Sequence, residues 1–385
     1  MEKTRKSGIS YEPIAFGELP GWDQDDHLAA LKAFISSCPR LLALNRSRAT
    51  TKQRAKTPTE LMAVCKAALA LPAKIKRTEA RALLETWFRP HRIVHREPEG
   101  LLTGYYEPII EGSRQRQGRF EAPILKRPAE LVTLVSETAA KRNGVGLTHG
   151  RSGASGVVPF ATRAEIDAGA LAGRGLELLY LESPVDVFFL QIQGSGRIQL
   201  SDGTIVRVTY DGKNGHPYTS IGQYLINTGQ LAANKMSMAA LGRWLKANPA
   251  RARTIMNKNA SYVFFRELPA GEEGPPGAIG VPLIAGRSLA IDPSIHALGS
   301  PIYVSVPTLA TPGGKPHFQR LMVAHDVGGA IKGAERGDIY FGSGANAAKF
   351  AGKVRHPGNM YVFLATKLAG ALEEKKTRHA GKSAR

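Results

Sequence analysis

Three aspartates in the last quarter of the sequence each stand at the edge of a short apolar run. Ser288-Leu289-Ala290-Ile291 leads into Asp292, Leu321-Met322-Val323-Ala324-His325 leads into Asp326, and Asp338 opens the run Ile339-Tyr340-Phe341. Runs this short, bounded by Gly and Pro and carrying Ile, Val and Tyr, read as β-strands. Asp is depleted from strands and costly to bury without a partner. If the three meet in space, each raises the pKa of the others until one carboxyl keeps its proton near neutral pH, as a general acid must. The competing reading is three turn or cap aspartates with their carboxylates in water.

Other chemistry finds less support. The two cysteines, Cys38 and Cys65, are not part of a CxxC, so structural zinc and dithiol redox chemistry are poorly supported. No HExxH or His-rich cluster occurs, and Gly328-Gly329-Ala330-Ile331-Lys332-Gly333 lacks the Walker A spacing. No metal or cofactor is therefore expected. The cysteines fall on the apolar faces of two consecutive predicted helices, where a disulfide and a pair of buried thiols are both open.

The elements that must position the aspartates are a helical start followed by a mostly β remainder. From Asp26 onward, Leu28, Leu31, Phe34, Ile35 and Cys38 share one helical face. Thr57-Pro58-Thr59-Glu60 reads as a capping box with Pro at the first helical position, opening a helix through Leu69. Thr78 is expected to cap a third helix stopped by Pro90, and Ser237 a fourth ending before Pro249. A hairpin is predicted from Val185 through Leu200, turning at Asp202-Gly203 into Thr204 to Tyr210. On that strand Gln191 and Gln193 would share one face, offering amides of the kind that bind sugars. Loops are expected over 137–156, 269–280 and 307–316.

The chain has 385 residues, enough for two domains, with 41 Gly and 24 Pro favouring turns over a helix bundle. Its 52 Lys and Arg against 32 Asp and Glu give a net charge of +20, which favours an anionic partner. Much of the excess falls in Arg46 to Lys56, Arg114 to Arg119 and the tail Lys375 to Arg385, read as solvated flexible charge. These segments carry no interleaved aromatics for base stacking, so nucleic acid is not expected. No run of 18 uncharged apolar residues offers a membrane span, and no apolar stretch follows the charged start Met1-Glu2-Lys3-Thr4-Arg5-Lys6.

Six ordered strings go further: Thr103-Gly104-Tyr105-Tyr106-Glu107-Pro108, then Gln191-Ile192-Gln193-Gly194-Ser195-Gly196-Arg197-Ile198, then Tyr210-Asp211-Gly212-Lys213-Asn214-Gly215. Gly286-Arg287-Ser288-Leu289-Ala290-Ile291-Asp292, Asp326-Val327-Gly328-Gly329-Ala330-Ile331-Lys332-Gly333 and Gly337-Asp338-Ile339-Tyr340 complete the series. Over roughly residues 80 to 370 the chain resembles the membrane-bound lytic murein transglycosylase A family, with its C-terminal three-aspartate domain. The resemblance implies a double-psi β-barrel with N-terminal helices at 1–107 and 258–372, a smaller inserted β domain at 108–257, and a basic tail, expected to be disordered, at 373–385. The glycan of such enzymes lies in the groove between the two domains.

The implied reaction cleaves the β-1,4 bond between N-acetylmuramic acid and N-acetylglucosamine without water, leaving a 1,6-anhydro end. Motif matching makes Asp338 the acid/base, with Asp326 and Asp292 as supporting carboxylates. Thr103, Gly104, Tyr105, Tyr106, Gln191, Gln193, Ser195, Tyr210 and Lys332 become candidate sugar or carboxylate contacts. Peptidoglycan strands are the implied substrate, a cell-wall enzyme complex is a candidate partner, and the expected state is a periplasmic monomer of the cell envelope. Two departures stand out: the family's lipoprotein signal is not seen, and His296-Ala297-Leu298-Gly299 replaces a proline before Leu-Gly. The alternatives are an inverting glycoside hydrolase with Asp338 as acid and Asp326 as base, and a noncatalytic basic polymer-binding module.

Overall fold

A computed structural model of the protein describes residues 8–46, 58–96, 100–133, 148–153, 156–271, 273–311, 314 and 316–366. The basic stretch 47–56, the tail from 375 and most of the loop expected at 137–156 lie outside the described residues. The chain divides into two compact units, Met1–Tyr105 with Pro276–Gly342 and Val354–Arg385, and Tyr106–Pro275 with Ser343–Lys353.

The first unit is built on a nine-stranded sheet. Its order is Ser10–Pro13, Phe88–Val94, Asn359–Ala365, Pro301–Val306, Phe318–Val327, Ser288–Ile291, Arg336–Ser343, Leu101–Glu107 and Arg355–Pro357. Strands from both ends of the sequence thus mix in one sheet, with Leu101–Glu107 lying between two strands from near the C-terminus. Among the described residues this order is an open series, so the closure expected of a double-psi barrel is not among its pairings. Pro301–Val306 and Ser288–Ile291 are buried at every position, as strands covered on both faces must be.

Helices His27–Arg46, Thr59–Leu69 and Arg77–Trp87 share one core with this sheet, where Leu31, Phe34, Val64 and Leu84 join Ile302, Val304 and Met322. The face expected to be apolar on the first helix is the one that packs. Cys38 and Cys65, both fully buried in this core, are joined as a disulfide between the first two helices. Two caps differ from expectation. Pro58 stands just outside the second helix rather than at its first position, and Thr57 lies outside the described residues. The third helix already starts at Arg77, because Glu79 reaches back to accept a bond from the Lys76 N–H at 2.9 Å, so Thr78 is inside the first turn. Arg287 anchors the N-terminal segment, donating to both Asp25 oxygens at 3.0 and 2.7 Å in a buried pair.

The second unit carries a six-stranded sheet ordered Val263–Leu268, Ile205–Lys213, Ser195–Gln199, Ile109–Ser113, Glu177–Leu181 and Ala122–Leu125. A three-stranded sheet and a helical cluster of Pro184–Gln193, Ile221–Asn227, Met238–Ala247 and Pro249–Met256 complete it. Ser237 caps Met238–Ala247 as expected, accepting from the Ala240 N–H at 3.1 Å. The predicted hairpin is half right. Ser195–Gln199 pairs antiparallel with Ile205–Lys213 around the Asp202-Gly203 turn, but Pro184–Gln193 is a helix. Ser183 caps it, Pro184 opens it, and Gly194 at φ 78° closes it, so the apolar run packs as a helical face instead of alternating. The charged stretch from Arg114 is not simply solvated: Arg114 pairs with Glu267, and Arg119 with Glu111 and Glu182.

Candidate active site

Strand register brings two of the three aspartates together. Ala290 pairs with Asp326 on its parallel neighbour and with Asp338 on its antiparallel neighbour. Residues directly opposed across strands share a face, so both carboxyls rise on the same side, with only the Ala290 methyl between them. Neighbouring strands are about 4.8 Å apart, which sets the two Cα atoms roughly 10 Å from each other. Leu289 and Ile339, the alternating neighbours, are fully buried on the opposite face.

The two carboxyls are held differently. Asp326 accepts at both oxygens, from the Ala278 N–H at 3.1 Å and from the Tyr105 hydroxyl at 2.9 Å. Asp338 accepts the Thr103 hydroxyl at Oδ1, 2.6 Å away, and its Oδ2 has no partner among the described residues. Both retain partial exposure. Burial pushes Asp338 up to about 6, against the Thr103 bond and the Arg336 charge and with help from the Asp326 charge. Burial likewise pushes Asp326 up to about 6, although the Val327 N–H, Tyr105 and Ala278 all favour its ionised form. Tyr105 stays protonated, its hydroxyl raised first by burial and then by Asp326, and its ring lies 5.3 Å from that of Tyr340.

Asp292 belongs to a different network. It accepts from the Ser294 N–H and hydroxyl at 3.0 and 2.7 Å, from the Gly333 N–H at 3.2 Å and from Lys332 at 3.5 Å. Burial raises this carboxyl, but those bonds outweigh it and hold it below the usual range. Its contribution is to staple the Gly-rich loop between Asp326 and Asp338. His296, next to the Ala297 that stands where the family tends to have proline, donates from Nε2 to the Ala334 carbonyl at 2.6 Å and secures the far end of that loop. Lys332 is taken up by Asp292. The neighbouring Ser288 and His325 are bonded at 2.8 Å, yet both are fully buried, Ser288 also accepts the Ile284 N–H, and burial pushes His325 down to about 4. They serve the core and form no nucleophile.

Thr103, Gly104 and Tyr105 lie on one strand of the first unit, and Tyr106 begins the second unit. There Gln193 Oε1 accepts the Tyr106 N–H at 3.1 Å. Gln191 is buried and donates to the Val263 carbonyl at 3.2 Å, so its amide is structural, and Ser195 is buried at a strand start opposite Thr209. Tyr210 is exposed, beside a bulge at Tyr210 and Gly212. Sequence reasoning did not single out Ala278, Arg336 or Glu107. Glu107, fully buried, accepts from Arg197 at 2.8 Å and from Ser343 at 2.5 Å within the second unit. A carboxylate at the end of the strand-like run Leu101–Glu107 was the available signal. Among the described residues no group of three or more His, Cys, Asp or Glu is arranged to hold a metal ion.

Comparison with known proteins places this geometry. Residues 101–266 match the model of the MltA specific insert domain, and residues 287–364 match that of the 3D domain. The chain belongs to the lytic murein transglycosylase A family. Members of this family are peptidoglycan-cleaving lyases. The membrane-bound lytic murein transglycosylase A of Escherichia coli K12 is 38% identical over 273 residues, an alignment spanning 70% of this chain and 66% of that relative. A crystal structure of a membrane-bound lytic murein transglycosylase from Agrobacterium tumefaciens matches with a TM-score of 0.82 at 36% identity, covering 92% of this chain and 98% of that one. A structure of E. coli MltA with bound chitohexaose matches with a TM-score of 0.63 at 30% identity, covering 93% of this chain and 92% of that one. Within this family frame the paired aspartates fall inside the 3D domain, and Thr103 and Tyr105 at the start of the matched insert region. No described helix is long and apolar enough to cross a membrane.

Proposed function

We propose that the protein is a lytic transglycosylase that cleaves the β-1,4 bond between N-acetylmuramic acid and N-acetylglucosamine and leaves a 1,6-anhydro end. The observation that carries this reading is the asymmetry of the carboxyl pair: Asp326 is engaged at both oxygens, while Asp338 keeps one oxygen open beside a raised pKa. One open acid suits a reaction in which the substrate supplies its own nucleophile. Asp338 donates its proton to the leaving glycosidic oxygen as the C1–O bond breaks. The C6 hydroxyl of the same muramoyl residue then forms the new C1–O bond and returns its proton to Asp338, so the acid is regenerated and no water is consumed.

Asp326 serves as the neighbouring charge that favours the protonated Asp338, and Asp292 as the staple of the intervening loop. An inverting hydrolase would need Asp326 as a base with an oxygen turned to water, and its two bonds from Tyr105 and Ala278 oppose that role. The relative with bound chitohexaose supports a glycan ligand, and the membrane-bound relatives support placement in the cell envelope. Tyr106, Gln193 and Tyr210 remain the proposed sugar contacts of the second unit.

Digestion of purified murein sacculi followed by mass spectrometry tests the reading. Released muropeptides should be one water lighter than hydrolytic products and lack a reducing muramic acid. Reducing ends throughout would transfer the assignment to a hydrolase.

A further inference from the structure

The strand Arg355–Pro357 closes one end of the nine-stranded sheet, beside Leu101–Glu107. Its register sets Arg355 opposite Thr103 and His356 opposite Leu102. Leu102 is fully buried in the core, so Thr103 and Arg355 rise on the other face, the one that carries Asp338. Arg355 is exposed, and among the described residues no carboxylate pairs with it.

A second guanidinium stands close by. Arg336, two residues before Asp338 and therefore on the same face, is fixed by bonds from Nη1 to the Leu101 and Gly337 carbonyls at 3.3 and 2.6 Å. Burial lowers the Arg336 pKa first, Asp338 partly restores it, and the charge of Arg355 lowers it further, so the two cations feel each other. Two like charges on one face toward this end of the sheet, with Asp338 the one acidic group among the described residues that acts on Arg336, form a site short of an anion. The planar fork of Arg suits a carboxylate.

We propose that Arg355, backed by Arg336, is a specificity-determining residue that binds a carboxylate of the muramoyl substrate beside the scissile bond. This rests on the peptidoglycan reading above. Lys332, the other cation near the aspartates, is already paired with Asp292 and is not that residue. Two carboxylates have the right chemistry: an acidic group of the stem peptide, and the lactyl group once the peptide is removed.

Calorimetric binding to the inactive Asp338→Asn protein separates them. The ligands are glycan strands bearing stem peptides, the same strands stripped by an amidase to free lactyl carboxylates, and chitohexaose, which has no carboxylate. Adding Arg355→Gln should weaken one or both carboxylate-bearing ligands roughly three- to tenfold and leave chitohexaose unchanged. Arg355→Lys should recover part of the loss, and the difference should fade at about 0.5 M salt. Loss confined to peptide-bearing strands assigns the stem peptide, and loss on stripped strands assigns the lactyl group. Equal weakening of all three ligands, or of none, overturns the proposal. Cleavage is not the readout, so reducing ends from the wild-type enzyme would sink the transglycosylase chemistry and leave this binding result standing. A parent that binds none of the ligands would overturn the peptidoglycan reading together with this subsite.

Discussion

At the scale of single residues, the site turns on a carboxyl that the fold makes costly to ionise. Asp338→Asn keeps the shape and the Thr103 contact but has no proton to transfer, so turnover on sacculi should fall at least about a hundredfold. The same change should have the opposite effect on stability. In the folded protein Asp338 titrates near 6, above the roughly 3.9 of an unfolded Asp. Below that lower value both states hold the proton. Between about 4 and 6 only the folded state keeps it, so wild-type stability falls as pH rises through this window and stays lowered above it. Calorimetry should therefore show Asp338→Asn melting a few degrees above wild type at pH 8, with little difference at pH 4. A variant less stable than wild type at pH 8 would mean that the carboxylate is well solvated and not strained by burial.

At the scale of elements, the site depends on backbone that comes very close. A Cβ at Gly277 would meet the His325 carbonyl oxygen at 2.5 Å, so only glycine lets this segment approach the Asp326 strand. That approach is what carries the Ala278 N–H to Asp326. Gly277→Ala should push the segment outward, remove that bond and raise Asp326 further, lowering kcat more than tenfold while a circular dichroism spectrum stays native. Unchanged kcat would show that the Ala278 bond is dispensable. The pair Asp326 and Asp338 was legible in sequence because a charged residue at a strand end breaks the local apolar pattern. Their neighbours were not, since Ala278 arrives from a turn outside the sheet and Arg355 through the register of a distant strand, which no local periodicity encodes. The helix Pro184–Gln193 was legible and misread: Ser183-Pro184 and Gly194 mark its ends, but the short apolar run Val187–Leu190 fits a strand and a helix equally. Asp292 was expected to support the same acid; it lies just past the strand Ser288–Ile291, and its bonds run to Ser294, Gly333 and Lys332.

At the scale of the whole molecule, the charge of +20 should act before chemistry does. Stem-peptide carboxylates draw a basic protein to sacculi over a range of only about 8 Å at physiological salt. Raising ionic strength should therefore raise the apparent KM on sacculi and leave kcat nearly unchanged; a salt-independent KM would assign the charge to solubility or another partner. The Cys38–Cys65 bridge makes a second global prediction. Unreduced, denatured protein from an oxidising compartment should titrate no free thiol, and reduction should cost about 3 kcal/mol of stability in the chain-entropy model. The interleaved strand order also constrains the timetable of synthesis. When Leu101–Glu107 leaves the ribosome, neither of its sheet neighbours, Arg336–Ser343 and Arg355–Pro357, exists yet, and Phe88–Val94 has only Ser10–Pro13 to pair with. The unit beginning at Tyr106 has its sheets in hand once Leu268 has emerged, long before its host. At roughly 5–20 residues per second, the open edges of the host sheet wait on the order of ten seconds or more. Throughout that interval the nascent chain carries the formed sheets of the second unit behind the open edges of Phe88–Val94 and Leu101–Glu107, with Ser343–Lys353 still to come, which is the stage at which a holding chaperone has most to protect.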